Sequence, residues 1–215
     1  MLRRIQEYLE RLYDLEVRER VEDFVCDGEL AQAMTRDALE RGEVLLVHEH
    51  LQDVSVGLYV DPQAVDALRR GLRWWNGPRG FRAFCLTTEG VSHFVYLMFR
   101  AKRELPVTQL ELEIQAEVDK YAFGLLEAPH RRPPLVRSRM LRSHLYAAPR
   151  FMHGADTEEG RRYRIASRVA ARYTEQLEFR YVAAGDEQGL HRALRRFYRL
   201  GAKGKMEAAE HTRAA

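Results

Sequence analysis

Residues 81–127, FRAFCLTTEGVSHFVYLMFRAKRELPVTQLELEIQAEVDKYAFGLLE, decide the fold. Residues 81–87 are rich in aromatic and small apolar side chains whose alternation predicts a short strand. From Glu89 the pattern turns helical. Val91, Phe94, Val95, Leu97, Met98, Ala101 and Leu105 fill an apolar arc of roughly 200°, wider than a surface helix needs, so a core helix is expected. Pro106 ends it and suits the first turn of a second helix over 107–127. There Val107, Leu110, Ile114, Val118, Tyr121 and Leu125 form one stripe at helical spacing. A strand thus feeds a buried helix that folds back into an amphipathic one, and the rest of the chain must cover the pair.

Upstream, Ile5, Leu9, Leu12 and Leu15 predict a helix over 2–19. Asp27-Gly28 breaks the pattern, and a second helix over 29–41 closes at Gly42. Residues 44–47 and 54–60 are apolar and β-branched, which predicts two strands joined by the polar loop HEHLQD. Asp61-Pro62 opens a helix over 63–75, and Asn76-Gly77-Pro78 marks a turn. Downstream, residues 128–156 are a Pro- and Arg-rich connection that includes APHRRPPLVRSR. A long helix is expected from Asp156 or Thr157 to about Ala184, then a basic helix over 188–200. Residues 201–215 lack an apolar pattern and are expected to be a disordered tail. The fold class is therefore α+β and predominantly helical. A small antiparallel sheet of about three strands packs on the central helix pair, with 1–127 as the core domain and 157–200 as a basic helical region.

At 46% apolar and 31% charged residues, the 215-residue chain has material for a core and a water-facing surface. No apolar run reaches the ~20 residues of a membrane span. The first 20 residues carry no apolar core of a secretory leader, so none is expected. Cys26 and Cys85 are too few to staple a secreted fold, which predicts reduced thiols and a cytoplasmic setting. Charge is uneven: residues 1–127 hold 16 Lys and Arg against 23 Asp and Glu, and residues 128–215 hold 19 against 9. Such asymmetry fits a polyanion-binding half, or two halves that complement each other.

No P-loop, dinucleotide fingerprint or Gly-x-Ser-x-Gly elbow occurs, so the reading leans away from an enzyme and assigns no catalytic residue and no cofactor. His48-Glu49-His50 is the most metal-like triplet, because strand alternation puts both histidines on one face. Asp53, Glu89, His93, Glu113 or Glu117 could complete it. Glu89 and His93 are i, i+4 neighbours, as are Glu113 and Glu117, yet none matches His-Glu-x-x-His. No metal is expected, and His48, His50, Glu89, His93, Glu113 and Glu117 stand as fallback ligands. On the wheel Glu89, His93, Tyr96 and Arg100 oppose the apolar arc, as a solvated face would. Glu117 falls inside its helix's apolar stripe, where a carboxylate needs a partner, an Arg above all, or else has its pKa raised as a functional acid would.

Arg161, Arg164, Arg168 and Arg172 recur at i, i+3, i+7 and i+11, opposite Ala166, Ala170, Tyr173 and Leu177. Four guanidinium groups in a row repel unless an anion lies alongside. The function expected from this stripe is a non-enzymatic binding or adaptor protein that engages nucleic acid or an acidic protein partner. Two alternatives stand beside it: a metal-dependent enzyme using His48 and His50 with the central carboxylates, and a structural homodimer of charge-complementary halves.

Overall fold

The computed structural model describes residues 1–50, 53–127, 132–149 and 151–210. Helix α1, Leu2–Tyr13, buries Ile5, Leu9 and Leu12, and ends where Asp14 turns left-handed at φ 55°. It is therefore shorter than its apolar spacing predicts. The helix expected over 29–41 divides into α2, Gly28–Met34, and α3, Ala38–Arg41, because Thr35 is extended. Asp27 caps α2 by accepting the Leu30 N–H at 2.8 Å. Gly42, at φ 78°, closes α3 and turns the chain into β1, Glu43–His50. Strand β1 pairs antiparallel with β2, Asp53–Val60, in the register Glu43↔Val60 to His50↔Asp53. Helix α4, Pro62–Arg69, follows, capped by Asp61.

The expected third strand does not exist. Residues 81–87 are part of α5, Gly77–Ala101, and the described sheet has two strands. Ala83, Phe84, Thr87, Thr88 and Val91 are all buried, a spacing of three and four that the apparent alternation had masked. The Thr87 hydroxyl returns to the Ala83 carbonyl at 2.7 Å, which suits a β-branched residue in a helix interior. Helix α6, Gln109–Leu126, starts at a capping box in which Thr108 and Glu111 satisfy each other's backbone N–H. Beyond it come α7, Pro134–Arg142, with a π-helical turn over Ser143–Ala147, and α8, Glu158–Leu177, with a π-helical turn over Glu178–Val182. Last are α9, Glu187–Tyr198, and α10, Ala202–Glu210. Residues 202–210, expected as disordered tail, are thus helical.

Helix α5 lies at the centre, with α1, α4, α6 and the hairpin packed around it, and α8 lies across α6. Among the described residues the main hydrophobic core runs from Leu2 to Ala209, and Ala31, Ala38 and Tyr59 form a second, small cluster. Val95, Ile114 and Tyr121 are fully buried, whereas Met98 is only partly so. The polar face of α5 is not solvated as expected. His93, Tyr96 and Arg100 are 6%, 0% and 7% exposed, because β1, α6 and the chain after α9 close over them. Gly90 explains the closest approach. A Cβ there would stand 2.9 Å from Val60 Cγ2 and 3.0 Å from Glu43 Cγ, so the missing side chain lets the hairpin lie against α5. Among the described residues no helix is long and apolar enough to cross a membrane.

Candidate functional site: a buried carboxylate and histidine cluster

The approach at Gly90 brings the first residue of β1 beside the middle of α5. Glu43 Oε1 lies 3.2 Å from His93 Nδ1. One helical turn back, Glu89 faces the same space, and Glu113 and Glu117 enter it from α6 at i and i+4. His93 Nε2 is 4.0 Å from Glu113 Oε2 and has no hydrogen-bond partner, although the residue is 94% buried. Lys120 Nζ sits between Glu117 at 2.8 Å and Glu89 at 3.1 Å. The partner expected for Glu117 was an arginine; the structure supplies a lysine three residues along the same helix.

Four carboxylates therefore face two basic side chains in a largely buried space. Burial lifts the Glu113 carboxyl to about 8, against the pull of His93. Burial alone would lower the His93 imidazolium, but Glu43, then Glu113 and Glu89, carry it up to about 9. Glu43 and Glu117 are raised by burial, whereas Lys120 and His93 outweigh burial at Glu89 and hold it down. Lys120, flanked by Glu117 and Glu89, stays firmly protonated despite its burial. The wall opposite is α8. Tyr163 is raised first by burial and next by the charges of Glu113, Glu89 and Glu43, and its ring stacks on His153 at 6.2 Å. Neighbouring Arg162 keeps a buried Nε without a partner.

One ligand atom from each of Glu89, His93 and Glu113 lies within 4.8 Å of the others. Nitrogen and oxygen ligands sit about 2.1 Å from a zinc-sized ion, so three of them on one ion lie about 3.4–3.6 Å apart. The widest pair here would have to close by up to about 1.4 Å to make such a coordination sphere. Glu43 would then hold the ring through Nδ1, the orienting hydrogen bond that metal-bound histidines usually make.

Of the fallback ligands, Glu89, His93, Glu113 and Glu117 come together and His48 does not. His48 pairs with Ser55, five residues along β1 from Glu43, or roughly 17 Å at a strand's rise. It is exposed. The side chain of His50 lies outside the described residues. Glu43, Lys120 and Arg162 had no role in the sequence reading. The one signal for Glu43 was Gly90, an isolated glycine in an apolar helix, which marks close backbone approach.

The arginine stripe lies where helical spacing puts it, on the outer side of α8. Arg161, Arg168 and Arg172 are exposed, but Arg164 folds back onto the carbonyls of His153 and Gly160 at 3.1 and 2.8 Å. Among the described residues, Arg168 and Arg172 make no ion pair. Comparison with protein-family models, with curated proteins and with solved structures gives no match.

Proposed function

We propose that this chain binds a divalent transition-metal ion through Glu89, His93 and Glu113, and works as a metal-dependent enzyme. The observation that carries this reading is the His93 Nε2, buried, without a hydrogen bond and directed at Glu113. A buried ring nitrogen normally has a hydrogen-bond partner, and one aimed at carboxylates without such a bond suits cation ligation. One imidazole with carboxylates suits zinc, iron or manganese better than calcium or magnesium. The Glu89 and Glu117 side chains remain 18% and 19% exposed, so the cluster is open along one edge. An open edge leaves room for a water or substrate ligand, the mark of a catalytic rather than a structural site. The ion would supply Lewis acidity and a water of lowered pKa. Glu117, neutralised by Lys120, stands beside that position as a proton acceptor. The metal-dependent alternative thus keeps its central carboxylates and exchanges His48 and His50 for His93 and Glu43.

Elemental analysis of protein reconstituted with zinc, iron(II) or manganese and freed of excess ion tests the reading. Near one equivalent of one ion is expected, falling to background in Glu113→Gln and His93→Ala. Background levels of all three in the wild-type chain would refute it. A second reading rests on Arg168 and Arg172, whose exposed, unpaired guanidinium groups support an anion-binding face. Random-sequence nucleic acid should bind it with affinity that falls steeply with salt, and Arg168→Glu with Arg172→Glu should flatten that slope. Binding that ignores both salt and the double substitution would remove it.

A further inference from the structure

A cleft of about 270 Å³ opens beside the C-terminal half of α8, and none of its lining residues belongs to the cation site. It is bounded by the C-terminal half of α8, the π-helical turn over Glu178–Val182, α9 and α10. Its floor is apolar: the Tyr173 and Phe197 rings stack at 3.9 Å, beside Leu177. The Tyr173 hydroxyl is already committed to the Ala193 carbonyl at 2.9 Å, so the floor offers no polar group there.

The rim is cationic. Arg180 and Arg196 border the cleft, both exposed, and neither makes an ion pair among the described residues. The carboxylate that could have neutralised them faces elsewhere. Glu178, on the same π-helical turn, points to the Ser138 hydroxyl at 2.5 Å and Arg142 at 3.3 Å. The wider turn, with the Ala183 N–H reaching back five residues to Glu178 at 2.9 Å, also brings Tyr181 into the wall.

We propose that this cleft binds a small amphipathic carboxylate, with an aryl or short acyl body on the Tyr173–Phe197 floor and its carboxylate between Arg180 and Arg196. The volume suits that class. At about 30 Å³ per water it holds roughly nine waters, enough for one ring and a short tail. Guanidinium groups recognise a carboxylate by charge-assisted hydrogen bonds that a neutral analogue cannot make.

Calorimetric titration of the full chain with 3-phenylpropionate, against 3-phenylpropan-1-ol as its neutral counterpart, tests the proposal. The carboxylate should bind saturably and at least about tenfold more tightly than the alcohol. Arg180→Glu with Arg196→Glu, both on the exposed rim, should abolish that preference, while Arg168→Glu with Arg172→Glu should retain it. Ala208→Trp should fill the cleft and remove binding of both probes. Equal binding of the two probes, or full carboxylate affinity after the rim substitutions, would overturn the proposal.

Discussion

Lys205 carries its ammonium group into a fully buried site, where Nζ donates to Gln115 Oε1 and to the Phe197 carbonyl at 3.3 Å. The rings of Tyr96 and Phe197 stand 4.7 Å away. Burial depresses this amine from 10.5 to about 7; Asp119 and Glu111 oppose the shift and Arg100 adds to it. The unfolded chain then binds a proton between about pH 7 and 10.5 that the folded chain does not, so this group adds stability as pH rises through that window. The penalty is fully present below 7. Lys205→Met should remove a slope of at most about 1.4 kcal/mol per pH unit, read as the wild-type minus variant unfolding free energy between pH 7 and 9. Parallel pH profiles would show that Lys205 titrates normally. None of this was legible in GAKGKMEAAE, which has no apolar periodicity. Its partners are aromatic residues contributed by α5 and α9, which only the folded chain places around it.

Helices α5 and α6 were legible because two long apolar patterns survive any local ambiguity. Their pairing makes a direct prediction. Ile114 is fully buried between them, so Ile114→Ala should lower the unfolding free energy by about 2–5 kcal/mol. A loss below half a kcal/mol would contradict the packing. The spacings of Glu89 with His93 and of Glu113 with Glu117 were equally readable. Their burial was not, because a helical wheel assigns a polar face to water, whereas α5 is enclosed on that face too. Glu43 was beyond reach for another reason: its position depends on the hairpin lying against Gly90. Gly90→Ala tests that dependence. The added methyl meets Val60 and Glu43, so overpacking should cost about 1–3 kcal/mol and weaken metal uptake as Glu43 leaves His93. Unchanged stability together with unchanged metal binding would separate Glu43 from the site.

The charge asymmetry of the sequence is not resolved, among the described residues, by wholesale pairing of the two halves. Arg41 with Glu159 at 2.7 Å joins them, while Arg142 turns to Glu175 and Glu178 of its own half. The outer face of α8 keeps its exposed arginines, and surface changes there should leave the fold intact. Arg168→Glu with Arg172→Glu should shift unfolding by no more than about half a kcal/mol, measured by denaturant titration; a larger loss would mean these side chains support the core. Helix content and the central pair followed from periodicity. The sheet's true size and the closure of the C-terminal helices over the centre depended on long-range contacts that local pattern does not encode.

Metal ligation by His93 Nε2 can be read by nuclear magnetic resonance of ¹⁵N-histidine-labelled protein loaded with ¹¹³Cd. A single imidazole with cadmium coupling at Nε2 is expected, its Nδ1–H retained toward Glu43, with loss of that signal in His93→Gln. Absence of coupling at saturating cadmium, or coupling at His48 instead, would contradict it.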